Sequence, residues 1–397
     1  MPGQSFDVIV VGAGPAGSHV AYELASSGYR VAVFEEKSSS GHNVCCTGII
    51  STECFRSLHP GREVILSKVT SAKFFSPSGR CLRLETEDVQ AYVVNRLLLD
   101  RELASRAQAR GARYFFSSPV IDIMLGKDGV RAVVLRPEAT DVFNARAVIL
   151  ASGFNPRLPS KLGLGRIRSF LVGAQTEIEA NDISELEVYF GREIGPGSFA
   201  WLVPTSTGRA YAGLLATSRA KLNLQKFLCK LVDRGRIRNQ EARIEQKVIP
   251  SGTLARSYGN RIIVVGDAAG QVKPTTGGGI YFGHLGARMA ADVLREALGS
   301  DCLSAGQLSL YQRRWRARMG KELSIGQRAR RVYARLSDGQ VDGIFKMLSS
   351  DGMLEALLRS GSFSFDWHSS LVLSVLRHGS AYPLRKIRNL LLREANA

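Results

Sequence analysis

A glycine-rich turn near the start of the chain gives the clearest chemical signal in the sequence. It follows a strand predicted over residues 6–11 and opens a helical pattern. Gly12 permits the tight turn, Gly14 lets the backbone approach a pyrophosphate, and Gly17 lets the helix pack closely on the strand. The N-terminus of the helix then faces the phosphates. The complete turn reads Gly12-Ala13-Gly14-Pro15-Ala16-Gly17.

An acidic residue follows this turn at the sequence spacing typical of a ribose-binding carboxylate. A second apolar strand is predicted over Val31–Phe34 and ends at Glu35, 18 residues after Gly17. At this spacing a carboxylate accepts hydrogen bonds from the ribose of an adenosine dinucleotide, and Glu36 is the alternative acceptor. A glycine turn in an ordinary α/β unit would not require the acid. The order of strand, turn, helix, strand and acid therefore predicts dinucleotide binding.

A second glycine-rich segment follows an apolar strand predicted over residues 261–265. It begins with Gly266-Asp267-Ala268-Ala269-Gly270 and continues as Pro274-Thr275-Thr276-Gly277-Gly278-Gly279-Ile280 before another helix. Three consecutive glycines at a helix start expose backbone N–H groups that can stabilise negative charge on a ligand. The alternative is a loop that serves only as a hinge.

The two segments and their order resemble the flavoprotein monooxygenase and geranylgeranyl reductase superfamily. This resemblance implies that the cofactor is FAD, held without a covalent bond, and that Asp267 binds its ribityl and phosphate oxygens. The glycine run would face the flavin carbonyl edge. The residues of these segments expected to contact FAD are Gly12, Ala13, Gly14, Pro15, Ala16, Gly17, Glu35, Glu36, Gly266, Asp267, Gly278, Gly279 and Ile280.

The resemblance extends to positions between the two segments. Arg96 opens a predicted helix in an Arg-x-x-x-Asp pattern, which in the superfamily reaches the FAD phosphates. Val120 lies where the backbone of these proteins meets adenine. Ser152-Gly153 stands where the superfamily commonly has Asp-Gly, so that the glycine is kept and the carboxylate is absent. This departure argues against ordinary monooxygenase chemistry.

Two further segments favour the reductase branch. Cys45-Cys46-Thr47-Gly48-Ile49 resembles a Cys-x-x-Gly stretch of geranylgeranyl reductases, which implies that Cys45 and Gly48 lie at the flavin. Phe199-Ala200-Trp201-Leu202-Val203-Pro204 resembles the family's Tyr-x-Trp-x-Phe-Pro motif, with Phe for Tyr and Val for Phe. Over about residues 6–294 the chain is therefore identified as a geranylgeranyl reductase family member. Such enzymes saturate isolated C=C bonds of prenyl chains on lipids, quinones or chlorophyll-like precursors.

The expected reaction requires a proton donor. An unactivated alkene has no carbonyl to polarise, so hydride transfer from reduced flavin N5 must be accompanied by protonation. Cys45 and Cys46 are the predicted catalytic residues, although a thiol is a weak acid and both could be small packing residues. Phe199, Trp201 and Pro204 are expected to line an apolar channel for the prenyl chain, with a plain structural core as the alternative.

Two other functions remain open. One is an FAD-dependent aromatic hydroxylase of the same superfamily, which would need a polar ring-binding pocket. The other is a nucleic-acid-binding or scaffold protein, favoured only by a net charge of +18; no nucleic-acid-binding motif supports it. No second dinucleotide turn is present, so the electron donor is NADPH or reduced ferredoxin, an acidic partner that a basic surface would attract.

The composition bounds the setting of the protein. Its 397 residues are 45% hydrophobic and 22% charged, which is typical of a folded globular protein. Six cysteines without a secretory pattern predict a reducing compartment, and their spacing predicts no metal site. No apolar run reaches the roughly 20 residues that cross a bilayer. We expect the reducing compartment to be the cytoplasm. The basic excess near the C-terminus predicts peripheral contact with anionic membranes, or simply a solvated basic surface.

The motif order also predicts the organisation of the chain. We expect an α/β fold with a Rossmann-like FAD-binding domain built around a parallel sheet from residues 1–62, 96–165 and 256–300. Residues 63–95 and 166–255 alternate polar and apolar side chains and predict an interleaved antiparallel substrate-binding sheet. Residues 301–397 are expected to be helical, ending in a basic interfacial helix over residues 371–393.

Overall fold

The computed structural model describes residues 5–136, 139–195, 197–206, 208–238, 243–349, 364–370 and 372–373. The strands are β1 (Ser5–Val11), β2 (Val31–Phe34), β3 (Ile49–Ser51), β4 (Ile65–Val69), β5 (Ser71–Phe75), β6 (Cys81–Glu85), β7 (Ala91–Val94), β8 (Arg113–Phe115), β9 (Val120–Leu125), β10 (Val130–Leu135), β11 (Thr140–Leu150), β12 (Phe170–Glu179), β13 (Leu186–Phe190), β14 (Phe199–Ser206), β15 (Arg209–Ala216), β16 (Glu245–Pro250), β17 (Tyr258–Gly259) and β18 (Ile262–Val264). The helices are α1 (Pro15–Ser26), α2 (Thr52–Leu58), α3 (Arg96–Ala109), α4 (Arg157–Lys161), α5 (Ala220–Asp233), α6 (Ile280–Gly299), α7 (Ala305–Trp315), α8 (Lys321–Tyr333) and α9 (Asp338–Leu348). The predicted α/β class is confirmed.

The largest sheet provides the frame for the glycine-rich turns. Its order is β17-β18-β11-β1-β2-β8, and β18, β11, β1, β2 and β8 run parallel. These strands form because their apolar runs are buried on both faces, where no alternation is required. The hairpin of β9 and β10 branches from β11. The carboxyl ends of β1, β2, β11 and β18 therefore meet along one edge.

Helices α1, α3 and α6 cover one face of this sheet. Small residues let them approach closely: Ala21 and Ala25 of α1, and Ala287 and Ala290 of α6, belong to one buried apolar cluster. Helix α3 ends at Ala109, just before Gly111, which adopts a positive φ of 99° that favours glycine. The packing fixes the start of each helix relative to the carboxyl edge of the sheet.

A second sheet lies over that edge. Its order is β16-β12-β15-β14-β13-β5-β6, and α5 packs on its far face. The sheet is not fully antiparallel as predicted, because β5 and β13 pair in parallel. These two strands are joined by a long connection through the first sheet, and parallel pairing requires such a crossover. A small third sheet has the order β3-β7-β4, and its strand β4 contacts β14 of the second sheet.

The helices after α6 close the fold on one side. A short π-helical segment, Arg316–Gly320, joins α7 to α8. Trp315 and Tyr311 anchor α7 in the interior, because Trp315 Nε1 donates to Ser257 Oγ at 2.9 Å and Tyr311 Oη donates to the Val264 carbonyl at 2.9 Å. Among the described residues, no helix is both long and apolar enough to cross a membrane. Nearly all of the predicted interfacial helix over residues 371–393 lies outside the described residues.

The strands of the two large sheets come from different parts of the chain. Those of the first sheet lie in residues 1–62, 96–165 and 256–300, and those of the second lie in residues 63–95 and 166–255. The third sheet combines β3 from the first set with β4 and β7 from the second. The division into a cofactor domain and a substrate domain stays a prediction.

Candidate functional site

The first glycine turn is shaped by backbone contacts with β11. Gly12 has a φ of 104°, and a Cβ there would overlap the Ala151 carbonyl oxygen. A Cβ at Gly17 would overlap the Gly12 carbonyl oxygen, so the close helix–strand approach allows no side chain at either position. Gly14 differs, because a Cβ there would meet no atom within 4 Å. The open space beside Gly14 leaves room for a ligand at the start of α1.

The Glu35 carboxylate is fixed to this turn. Its Oε2 accepts a hydrogen bond from the Ala13 N–H at 2.7 Å, and its Oε1 accepts one from the Lys37 N–H at 3.0 Å. Glu36 is exposed, so Glu35 is the acid that faces the turn. Because a carboxylate has about four lone-pair sites, Glu35 keeps acceptor capacity for a ribose hydroxyl.

The end of β11 adds a polar atom without a partner. Ser152 lies beside the first glycine turn, since its Cα would be 3.2 Å from a Cβ at Gly12. Its Oγ is buried and has no hydrogen bond. Buried hydroxyls are normally paired, so this atom lacks a partner that a ligand could supply. Gly153, with a φ of 66°, leaves open space beside it. Val120 starts β9 just after Ser118, whose N–H donates to the Glu35 carbonyl.

The second glycine segment touches the first. A Cβ at Gly266 would lie 3.2 Å from the Ala16 side chain, and Asp267 Oδ1 would lie 2.7 Å from a Cβ at Gly279. Asp267 therefore sits at the N-terminus of α6, where Gly279 precedes Ile280, the first residue of the helix. Asp267 Oδ2 is 2.9 Å from Lys247 Nζ on β16. A residue of the second sheet thus reaches the glycine turns of the first.

The predicted Arg96 is the first residue of α3 and lies beside Gly48. Its guanidinium forms hydrogen bonds to both carboxylate oxygens of Asp100 at 2.9–3.1 Å, and the two side chains are only 10% and 2% exposed. Arg96 also interacts electrostatically with Cys46. Gly48 is required beside it, because a Cβ there would overlap the Val94 carbonyl oxygen and approach Arg96 Cγ at 3.4 Å. Arg96 is therefore rigidly placed.

The Cys45–Gly48 segment lies between the two sheets. Thr47 Oγ1 donates to Gln175 Oε1 on β12 at 2.6 Å, and the Gly48 N–H donates to Cys46 Sγ at 3.4 Å. Burial raises the pKa of the Cys45 thiol to about 12, and the charges of Cys46 and Glu245 act in the same direction. Cys45 is therefore a protonated thiol at neutral pH.

An apolar surface continues from this segment. Trp201 on β14 packs over Gly213 on β15, where a Cβ would overlap the indole ring, and Phe199 lies 5.9 Å from Trp201 between ring centroids. Pro204 does not share this face, because side chains alternate along a strand and Pro204 is three residues from Trp201. The apolar cluster on this face contains Ile49, Leu66, Val69, Ala91, Val93, Leu186, Trp201, Val203, Tyr211 and Phe365.

The segment 364–370 closes one end of this surface, which the sequence did not indicate. Asp366 forms a buried ion pair with Lys273 at 2.7 Å, and Lys273 Nζ also donates to the Phe365 carbonyl. His368 Nδ1 lies 2.6 Å from Thr275 Oγ1 in the loop before α6. The N–H groups of His368 and Ser369 donate to the Glu322 carboxylate. Phe365 is thereby held against the apolar surface.

Sequence reasoning also missed Lys247 and Tyr211. Lys247 sits on β16 without any motif around it, and Tyr211 is one polar residue in an alternating strand. Tyr211 joins the apolar cluster and interacts electrostatically with Cys46. Alternation predicts which residues share a face, but only the pairing of β12 with β15 and β16 brings these side chains over the Cys45–Gly48 segment.

These features define a Rossmann-type dinucleotide-binding protein with a second sheet covering the ligand edge. Comparison with known proteins specifies the family. The family model described as lycopene cyclase protein matches residues 7–348. The digeranylgeranylglycerophospholipid reductase 2 of Methanothermobacter thermautotrophicus is 31% identical over 97% of this chain and 100% of its own length. The chain belongs to the geranylgeranyl reductase family of oxidoreductases, as predicted.

Solved structures share the fold. A geranylgeranyl bacteriochlorophyll reductase-like protein from Thermoplasma acidophilum superposes with a TM-score of 0.86 at 22% identity, covering 98% of this chain and 99% of that one. A mutant of the halogenase PltM, solved in complex with FAD, superposes with a TM-score of 0.68 at 15% identity, covering 99% of this chain and 96% of that one. At these identities the likeness concerns the fold.

Gly14 and Gly17 should respond differently to the same added methyl group. Gly17→Ala forces a clash between backbone atoms and should lower the free energy of unfolding by about 1–3 kcal/mol. Gly14→Ala enters open space at an extended backbone and should cost less than about 1 kcal/mol, the range of an N-cap change. Urea denaturation of the cofactor-free proteins measures both. Equal losses would contradict the close approach at Gly17.

Proposed function

We propose that FAD binds without a covalent bond along the carboxyl edge of the first sheet. Three observations support this: the open space at Gly14, the partnerless Ser152 hydroxyl and the free acceptor capacity of Glu35. The residues proposed to hold it are Gly12, Ala13, Gly14, Pro15, Ala16, Gly17, Glu35, Cys45, Gly48, Arg96, Val120, Ser152, Gly153, Gly266, Asp267, Gly278, Gly279 and Ile280. The α1 N-terminus and Arg96 would meet the diphosphate.

The Gly14→Ala protein also tests this placement. Purified wild-type protein should be yellow and release FAD on denaturation. Gly14→Ala should stay folded but lose most of its flavin, because its methyl group fills the space into which the pyrophosphate would fit. Flavin retention equal to wild type would mean that the pyrophosphate does not lie beside Gly14.

We propose that the reaction is saturation of isolated C=C bonds in a prenyl chain. The observation that supports it is the apolar surface of Trp201, Phe199 and Phe365, which begins at Ile49, next to the Cys45–Gly48 segment. Such a surface suits a chain of methyl and methylene groups. The reductase relative and the lycopene cyclase description are both named for isoprenoid substrates. A prenylated lipid, prenyl quinone or prenyl diphosphate would fit this surface.

Different side chains around the site would align the alkene and supply the proton. FAD, when bound and reduced, supplies the hydride. The apolar surface excludes water and aligns the alkene, while Cys45 or Cys46 holds the proton that the second alkene carbon receives. Burial keeps Cys45 protonated, and the Gly48 N–H donates a hydrogen bond to Cys46 Sγ. An aromatic hydroxylase would instead need polar groups placed to orient a ring.

Product analysis distinguishes these reactions. Under anaerobic conditions with dithionite, the protein should add two hydrogen atoms per double bond to at least one of three substrate types: prenyl diphosphates, prenyl quinones and geranylgeranyl lipids. Mass spectrometry reads the result, and the Gly14→Ala protein serves as the flavin-poor control. Oxygen-dependent hydroxylation of an aromatic compound, with no hydrogenation of any prenyl substrate, would establish the hydroxylase instead.

The two cysteines can be separated by serine substitution. A group that holds the transferred proton should be worth about 10²–10⁴-fold in rate, so Cys45→Ser or Cys46→Ser should lose that much turnover while retaining FAD. The buried Cys54→Ser, which changes the same atom in the protein interior on α2, is the matched control. A loss below about threefold in both site variants would make them packing residues.

We propose peripheral contact with anionic membrane through α7, the π-helical segment, α8 and the residues directly after α8. The exposed basic residues there are Arg313, Arg316, Arg318, Lys321, Arg331 and Arg335. Each basic residue near such a surface adds about 1 kcal/mol of attraction. The protein should float with anionic vesicles at low salt and not with neutral vesicles, and replacing Arg313, Arg314, Arg316 and Arg318 by Gln should weaken flotation. Absence of flotation with anionic vesicles would assign this charge to a soluble acidic partner.

A further inference from the structure

Lys247 links the second sheet to the proposed cofactor site. It lies on β16, and its Nζ is 2.9 Å from Asp267 Oδ2 at the N-terminus of α6. The neighbouring Ile249 of the same strand lies against the glycine run, since a Cβ at Gly277 would be 3.6 Å from Ile249 Cδ1. The strand therefore approaches the second glycine segment along its length, and Lys247 is its charged contact there.

The ammonium group of Lys247 shares its space with other groups of the site. Asp267, and to a smaller extent Cys46, raise the pKa of Lys247, while burial and the charge of Arg96 act against them. Lys247 is therefore paired with Asp267 at the second glycine segment and lies within electrostatic range of Arg96 and Cys46. The Lys247 side chain is 39% exposed, so part of it remains accessible to a ligand while it is paired with Asp267. At neutral pH the group is a cation.

The charge balance of the site gives this cation a role. Arg96 is neutralised by Asp100 and Lys247 by Asp267, so that these four side chains sum to zero. The diphosphate of FAD brings two negative charges. Without Lys247, the Asp267 carboxylate would be an unpaired negative charge beside the cofactor. A unit charge about 4 Å from another contributes roughly 1 kcal/mol even at the dielectric constant of water.

We infer that Lys247, on β16 of the second sheet, is a cofactor-binding residue. It offsets the charge of Asp267 and stabilises the anionic cofactor across the interface of the two sheets. This inference rests on the proposed FAD site and deepens it. It also means that cofactor affinity depends on how β16 sits over the site, so that the second sheet takes part in holding the cofactor as well as the substrate.

Titration of deflavinated protein with FAD tests the role of Lys247. Lys247→Met should weaken FAD binding about tenfold at low ionic strength, whereas Lys247→Arg, which keeps the charge, should stay within about threefold of wild type. The difference between Met and wild type should shrink as salt rises, because screening weakens the lost attraction. Lys230→Met, which breaks an exposed pair with Glu193 on α5, is the matched control and should bind FAD as wild type does.

Two further measurements separate a cofactor role from a structural one. The midpoint potential of bound FAD should become more negative in Lys247→Met, because adding electrons near the unpaired Asp267 carboxylate is less favourable. Urea denaturation of the deflavinated variant should match wild type. Equal FAD affinity in wild type and Lys247→Met, or a salt-independent loss that Lys247→Arg shares, would overturn the inference. Failure of wild-type protein to bind FAD would instead overturn the proposed function.

Discussion

The close approach of backbone to backbone at the end of β1 is the constraint on which the site depends. Gly12 lies against the Ala151 carbonyl and Gly17 against the Gly12 carbonyl, so the first turn of α1 is pressed onto the junction of β1 and β11. This contact fixes the direction of α1 and leaves its N-terminal N–H groups facing the carboxyl edge. Gly266 then packs on Ala16, which ties the second glycine segment to the first. Any side chain at Gly12 or Gly17 would shift all of these groups together.

The second sheet contacts this edge through the side chains of Gln175 and Lys247. Its near face is divided: Gln175 and Lys247, on β12 and β16, bind Thr47 and Asp267, while β14 presents Trp201. Polar contacts therefore lie over the proposed cofactor, and apolar side chains lie beside it. Such a division suits a ligand that carries phosphates next to a substrate that has none. Gly213 matters here because its missing side chain lets the Trp201 indole lie flat on β15.

Local sequence patterns predicted the glycine turn and its acidic residue, but they could not predict the contacts between the two sheets. The unit from β1 to Glu35 is contained in about 30 consecutive residues, whose spacing alone indicates the turn, the helix and the acid. The pairs Thr47–Gln175 and Lys247–Asp267 depend instead on how two sheets are placed, which no single segment encodes. The parallel pairing of β5 with β13 was missed for the same reason. Lys273–Asp366 joins residues 93 apart in sequence through a segment without any motif.

Two buried ion pairs fix side chains around the proposed site. Burying a pair such as Arg96–Asp100 or Lys273–Asp366 adds little net stability, since desolvation offsets the attraction. Leaving either partner alone would be costly, so Lys273–Asp366 disfavours arrangements in which segment 364–370 lies away from the loop before α6. Arg96 and Asp100 lie one turn apart on α3, so their pair instead holds the guanidinium in one orientation. Arg96–Asp100 fixes a guanidinium beside Cys46, and Lys273–Asp366 fixes Phe365 against the apolar surface. The charges therefore act chiefly by specifying position, and the positions they specify are those around the proposed cofactor and the prenyl chain.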